Sequence, residues 1–85
     1  MSTFKPAEVF PPGEFLDEEL RARGWTADAF AQRSGLSLGA VLGLLASQRR
    51  FDGAAMDACS RTLGTSPQFW FNLQRAWDRW GGNAP

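Results

Sequence analysis

The 85 residues leave room for one domain with one small core, which excludes a two-domain enzyme with a cleft between lobes. Nine basic residues balance nine acidic ones, so any charged partner must bind a local patch rather than respond to net charge. The chain has no His and a single cysteine, Cys59. The usual general base, the commonest metal ligand and an intramolecular disulfide are therefore missing, and we expect neither an enzyme nor a protein that holds a cofactor or metal.

The chain also lacks the signature of a membrane protein. No segment approaches the roughly 20 apolar residues of a membrane-spanning helix, and the first residues contain no long apolar run. A small domain that is stable without disulfides is typical of a reducing compartment. The composition thus predicts a cytoplasmic protein that binds no membrane.

Five helices and no strand are predicted along the chain. Residues 1–12 contain Pro6, Pro11 and Pro12, and they are expected to form an extended N-terminal arm because proline lacks the amide donor of a helix. From Gly13 onward apolar residues recur at helical spacing. The helices are expected at residues 13–23, 27–34, 38–46, 53–63 and 67–80, within one domain of residues 13–80, and residues 81–85 are expected to form a flexible tail.

Three corners punctuate these helices with one recurring pattern. They read Gly24-Trp25-Thr26, Gly35-Leu36-Ser37 and Gly64-Thr65-Ser66. In each, the glycine suits the left-handed residue just past a helix, and the hydroxyl residue is placed to cap the next helix. Asp52 is a fourth expected cap, and Pro67 suits the first position of the last helix.

The second and third predicted helices have the compact connection of a helix-turn-helix. In that motif the first helix braces against the DNA backbone while the second, the recognition helix, enters the major groove. The corner alone leaves two interpretations open, a DNA-binding unit or an ordinary corner in a small helical bundle.

Two blocks of sequence carry a resemblance to a known family. Residues 12–20 read PGEFLDEEL, and residues 63–74 read LGTSPQFWFNLQ. They are similar to the Pro-Gly-Glu-apolar-Leu-x-Glu-Glu-Leu block and to the LGTSPEFWLNLQ signature of the HigA-type antitoxins, which belong to the XRE (lambda-repressor-like) helix-turn-helix class. The spacing between the blocks needs no gap, so the resemblance covers residues 11–80.

The resemblance implies an all-α, five-helix lambda-repressor-like helix-turn-helix domain. It implies a homodimer that binds operator double-stranded DNA as a transcriptional autorepressor. It further implies that the protein neutralises a cognate toxin, a RelE/HigB-like enzyme that cleaves mRNA.

Nine residues are predicted to face DNA. Base edges are read by the start of the recognition helix, and phosphates are bound by charge at the segment that follows it. That segment stands where relatives carry an Asn-Gly-Lys-Arg-like loop, although an Arg pair there can also complement the helix dipole while facing water. The residues are Thr26, Arg33, Ser37, Leu38, Gly39, Ser47, Gln48, Arg49 and Arg50.

The predicted recognition helix departs from the family pattern. After Ser37, no side chain up to Ala46 can donate a hydrogen bond. Apolar side chains such as Leu38 can contact thymine methyl groups, and Gly39 and Gly43 would leave a shallow groove for another helix or backbone. A second hypothesis therefore stays open, a protein-interaction module on a repressor scaffold that has lost sequence-specific DNA binding.

The last predicted helix has more apolar surface than one small core can absorb. Such excess on a terminal helix predicts a homodimer, because large apolar patches are rarely left open. The residues predicted at a dimer or partner interface are Leu42, Phe69, Trp70, Leu73, Trp77 and Trp80. Cys59, on the apolar stripe of the fourth helix, is expected to be a buried small apolar residue.

Overall fold

The computed structural model describes residues 10–80, so the expected tail and most of the expected arm fall outside the described part. Five helices and no strand make up this part. They are α1 (Pro12–Arg23), α2 (Ala27–Ser34), α3 (Leu38–Leu45), α4 (Gly53–Leu63) and α5 (Pro67–Trp80). The all-α prediction is confirmed, and every helix bound lies within one residue of expectation. No helix within residues 10–80 has the length and apolar character needed to cross a membrane.

Local side-chain chemistry explains where the helices begin and end. The corner glycines Gly24, Gly35 and Gly64 all have positive φ, which only glycine adopts without strain. The predicted caps form as well, since each side-chain oxygen accepts from the backbone amide three residues later. These bonds are Thr26 with Ala29 (3.1 Å), Ser37 with Ala40 (3.1 Å), Asp52 with Ala55 (2.9 Å) and Ser66 with Phe69 (3.2 Å).

One apolar core joins the five helices. α1 packs on α3 and α5, α2 packs on α3 and α4, and α4 packs on α5. Every helix contributes to the buried cluster, whose larger members are Leu16, Leu20, Phe30, Val41, Leu44, Phe51, Cys59, Leu63 and Trp70. The core therefore lies where the five helices meet, with α1 and α2 linking α3 to α4 and α5.

Trp70 is the aromatic anchor of this core. Its ring is completely buried and stacks on Phe51 with centroids 5.2 Å apart, while its Nε1 donates to the Thr65 hydroxyl at 2.7 Å. One face of α5 must seal the core, and Trp70 lies on that face. The prediction that Trp70 belongs to an interface with a partner is therefore wrong.

A buried glutamine ties the segment after α3 to α5. The Gln74 Oε1 accepts from the Phe51 amide at 2.9 Å, and its Nε2 donates to Asp78 Oδ1 at 2.9 Å. Gln74 is only 3% exposed, and its bond to the Phe51 amide is buried, whereas its bond to the half-buried Asp78 is partly open to water. The path of the chain from α3 to α4 is thus fixed by α5.

Candidate nucleic-acid interface

The α2–turn–α3 unit is braced by its own polar groups. At the corner, the Ser34 hydroxyl donates to the Ala31 carbonyl at 3.4 Å and accepts from the Leu36 amide at 3.2 Å. Ser34 is buried, and α2 and α3 pack directly on each other. The two helices therefore form one rigid unit, as a helix-turn-helix requires.

α3 has two faces that differ in burial and not in polarity. Its inner face, Ala40, Val41 and Leu44, is buried in the core. Its outer face, which we define as Leu38, Gly39 and Leu42, is exposed, with Leu38 at 41% and Leu42 at 50%. Leu38, Gly39 and Leu42 thus lie on the exterior, as contact with DNA or a partner requires.

The cap residue that precedes α3 supplies a polar side chain at the start of the outer face. Ser37 is exposed, and its oxygen already accepts from the Ala40 amide. A hydroxyl that accepts one bond can still donate another, so Ser37 can reach a phosphate or a base edge without losing its capping role.

The two glycines of α3 serve different purposes. A Cβ at Gly39 would meet nothing within 4 Å, so the helix backbone there is open to a close approach. A Cβ at Gly43 would lie 3.3 Å from the Cβ of Arg49 and 3.6 Å from its Cδ. The Arg49 stem therefore occupies the Gly43 end of the predicted groove, and only the Gly39 end is open. The expectation of a continuous groove is wrong.

α3 ends in a hydrogen-bonded reverse turn that exposes the following segment. Ser47 is the only non-glycine residue within residues 10–80 with positive φ, at 59°. Its amide donates to the Leu44 carbonyl at 3.2 Å, and the Gln48 amide donates to the Gly43 carbonyl at 2.9 Å. These two bonds define a Schellman motif with a serine at the position that glycine usually takes. Residues 46–50 are all exposed.

Gly13 holds the far end of α3 in place, a role that sequence reasoning missed. A Cβ at Gly13 would lie 2.1 Å from the Leu44 carbonyl oxygen and 3.1 Å from that of Leu45. The first turn of α1 thus abuts the last carbonyls of α3, where the partial positive and negative ends of the two helix dipoles meet. The available signal was a glycine in a helical first turn, a position that otherwise favours other residues.

The three predicted arginines have different neighbours. Arg33 extends over the Trp25 ring, with its guanidinium carbon 4.4 Å from the ring centroid. Arg50 forms an ion pair with Asp78, and the hydrogen bond that its guanidinium donates to that carboxylate raises the pKa of Arg50. Arg49 is exposed and forms no ion pair with a carboxylate of residues 10–80. Its charge is therefore the most available of the three.

The remaining predicted contacts are polar and exposed. Thr26 lies at the start of α2 as its cap, and Gln48 follows the turn that ends α3. Both are open to solvent. Like Ser37 and Arg49, they carry exposed polar groups that can bind phosphate oxygens.

Exposed apolar side chains also lie on two sides of α5, because Phe71 is about half a turn around the helix from Phe69 and Trp80. Phe69, Phe71 and Trp80 are 38%, 44% and 62% exposed, while Leu73 and Trp77 are half-buried. Trp80 stacks on Trp77 with centroids 5.4 Å apart. Phe71 was missed from the predicted set although the same excess of apolar residues pointed to it. Leu42, predicted with these residues, lies instead on the outer face of α3.

The cysteine of the chain lies in the core. Cys59 is fully buried, and burial raises the pKa of its thiol to about 12, so the thiol stays protonated and unreactive near neutral pH. Within residues 10–80 no three His, Cys, Asp or Glu side chains cluster closely enough to hold a metal ion.

Solved structures of antitoxins share this fold. An addiction-module antidote protein of the HigA family from Coxiella burnetii is 28% identical, with a TM-score of 0.79 over 89% of each chain. The Pseudomonas aeruginosa antitoxin HigA, solved with the higBA promoter, is 29% identical, with a TM-score of 0.83 over 91% of this chain and 85% of that one.

A third similar structure was also solved with DNA. A Pseudomonas aeruginosa protein in complex with its 18-bp operator DNA is 30% identical, with a TM-score of 0.79 over 84% of this chain and 77% of that one. No family model matches the sequence, and no curated protein matches it.

Proposed function

The chain belongs to the HigA family of antitoxins, and from that premise we propose that it neutralises a toxin and represses its own operon by binding operator DNA. The observation that carries the DNA half of this proposal is the exposed outer face of α3 at the end of a braced helix-turn-helix. An α-helix presented in this way fits the major groove.

In the proposed complex α3 lies in the major groove with its start toward the bases. Ser37, Leu38 and Gly39 then face base edges, and the absence of a side chain at Gly39 allows the helix backbone to come close. Ser47, Gln48 and Arg49 follow the helix and face phosphates. Two similar proteins were solved with operator or promoter DNA, which supports DNA binding by this fold.

Charge sets how strongly salt should weaken the complex. Arg50 is compensated by Asp78, so Arg49 is the principal cation beside the outer face. Two copies of Arg49 in a dimer would release the counterions of two phosphates, which predicts a slope of about −2 in log K against log salt. Hydrogen bonds from Gln48 and Ser47 would add affinity without steepening that slope.

A polarisation titration of the DNA upstream of the gene tests this proposal. We expect salt-dependent binding at micromolar protein or below, and we expect Arg49→Ala to weaken binding and flatten the salt slope. Arg61→Ala is the matched control, because Arg61 is an exposed arginine paired with Asp57 on α4. An absence of salt-sensitive binding, or equal losses from the two substitutions, would overturn it.

The proposed toxin is an mRNA-cleaving protein of the RelE/HigB type. The support for this class is the family membership of the chain, and the product of the neighbouring gene is the natural candidate. We expect that product to arrest growth when expressed alone, and coexpression of this chain to restore growth and yield a copurifying complex. A neighbour that leaves growth unaffected, or whose toxicity this chain does not relieve, would contradict the assignment.

We further propose that α5 forms the dimer interface through its exposed aromatic surface. Helix-turn-helix dimers place their two recognition helices about one DNA turn apart, so dimerisation doubles the contact with one operator. Trp80→Ser should shift the chain toward monomer in sedimentation experiments, since Trp80 is the most exposed large apolar side chain of residues 10–80. Leu42→Ser should leave the dimer intact. The reverse pattern would place the interface on α3 and remove the outer face from DNA.

A second candidate function follows from the apolar character of that face. If the outer face binds a protein and not DNA, Leu42→Glu should abolish binding to that partner, while Arg49→Ala should leave it nearly unchanged. Under the repressor proposal, both substitutions should weaken operator binding. The pair of variants therefore separates the two functions.

A further inference from the structure

We propose that the outer face of α3 reads thymine through its C5-methyl group, with Leu38 and Leu42 as the specificity-determining side chains. The inference rests on the proposed operator binding and names the base that the operator must present to these leucines.

The chemistry of base edges favours thymine over the other bases. In the major groove, thymine is the one base with an apolar group, its methyl, whereas guanine, cytosine and adenine present acceptors and donors there. From Leu38 to Leu45 no side chain of α3 can form a hydrogen bond. A leucine that packs against a polar base edge would displace water from its donors and acceptors. It would form no hydrogen bond in exchange, so the contact would be unfavourable. Against a thymine methyl it buries apolar surface on both sides.

The geometry of α3 matches this mode of reading. Leu38 and Leu42 are four residues apart, so their side chains are neighbours on one face, with Cβ atoms roughly 5–6 Å apart. Both are about half exposed. The open space at Gly39 means that no other side chain of the outer face keeps them from the groove floor.

Charge around the outer face favours DNA over a protein as its occupant. Residues 37–50 contain no acidic side chain and two arginines. Ser37 stands at one end of the apolar patch, and the Arg49 stem lies against Gly43 at the other. An apolar strip flanked by a hydroxyl donor and a cation complements methyl groups flanked by phosphates.

Replacement of operator thymines with deoxyuridine tests the inference directly. Uracil keeps the base pair and the O4 acceptor and lacks only the methyl group. We expect about a fourfold loss of affinity for each contacted methyl that is removed. A duplex with all thymines replaced should therefore bind at least tenfold more weakly than the thymine duplex in the same polarisation assay.

Variants of the protein decide which residues read the methyl groups. Leu42→Ala and Leu38→Ala should each weaken binding to the thymine duplex and bring its affinity closer to that of the uracil duplex. Arg49→Ala is the control, because loss of a phosphate contact should weaken binding to both duplexes by the same factor. Melting curves should show that all three variants stay folded, since these side chains are exposed.

The outcomes separate the inference from the function on which it rests. Equal affinity for the thymine and uracil duplexes would overturn the inference while leaving operator binding intact. A thymine-to-uracil ratio unchanged by both leucine substitutions would overturn it too. A failure to bind the thymine duplex at all would instead overturn the proposed repressor function.

Discussion

The inner and outer faces of α3 are built from the same kinds of residue and have opposite environments. Val41 and Leu44 are buried in the core, whereas Leu38 and Leu42 are about half exposed. A helix without polar residues does not reveal from its composition which side faces the protein. Folding alone explains the buried leucine. The exposed leucines beside it are therefore the ones that indicate a binding surface.

Leucine-to-alanine substitutions on the two faces of α3 give the largest expected difference in stability. Leu44→Ala should lower the free energy of unfolding by roughly 2–5 kcal/mol, because it leaves a cavity in the core. Leu42→Ala should change it by less than about 0.5 kcal/mol, as is usual for exposed positions. Urea denaturation measures both values. Similar losses from the two variants would mean that the faces are not distinct in this way.

A substitution at Gly13, where α1 contacts the end of α3, gives the next largest expected change in stability. Gly13→Ala places a methyl group 2.1 Å from the Leu44 carbonyl oxygen, so the backbone must shift. We expect a loss of about 1–3 kcal/mol in the free energy of unfolding, the usual range for overpacking.

The control for Gly13 is another helical glycine with open space around it. A Cβ at Gly39 meets nothing within 4 Å, so Gly39→Ala should stabilise the fold by about 0.5–1 kcal/mol. If DNA approaches the backbone there, the same variant should bind the operator more weakly. A stabilising Gly13→Ala, or a destabilising Gly39→Ala, would contradict the assigned packing of α3.

Much of the fold could be predicted from the sequence because its signals are local. Thr26, Ser37 and Asp52 each cap a helix through an amide only three residues away, and this requires no knowledge of distant residues. The turn after α3 was harder, because Ser47 adopts a conformation that favours glycine. Neither glycine nor asparagine stands at position 47 to indicate that geometry.

The candidate site could be predicted less completely, because its details depend on residues far apart in the chain. The contact of Gly13 with Leu44 and the pairing of Arg50 with Asp78 each join different parts of the fold. The burial of Trp70 likewise follows from how α5 rotates against the core. Helical periodicity identifies an apolar stripe, but it does not decide which member of the stripe lies at its centre.

The titration of Cys59 shows whether water is excluded from the core behind the inner face of α3. Cys59 belongs to the same buried cluster as Val41 and Leu44, and burial raises the pKa of its thiol from 9.0 to about 12. Above pH 9 the unfolded chain therefore loses this proton while the folded chain keeps it, so stability falls as pH rises. Between pH 8 and pH 10 we expect a loss of about 1.4 kcal/mol in the free energy of unfolding.

The composition makes this measurement unusually clean. The chain has no tyrosine, and Lys5 is its only lysine, so few other side chains titrate in this range. Cys59→Ala serves as the control, and its stability should be nearly independent of pH between 8 and 10. A variant that loses stability as steeply as the parent chain would assign the pH dependence to another group.

A gain as small as that of Gly39→Ala is expected at the turn that carries the chain from α3 to the phosphate-facing segment. Ser47 has a φ of 59°, which is unfavourable for a residue with a Cβ, so Ser47→Gly should stabilise the fold by about 0.5–1 kcal/mol. Thermal melting measures this gain. Operator affinity measured on the same variant shows whether the Ser47 hydroxyl contributes to binding, because Ser47 is exposed and can donate to a phosphate. A more stable variant that binds DNA more weakly would explain why a serine occupies a glycine position, whereas unchanged affinity would assign Ser47 no part in the contact.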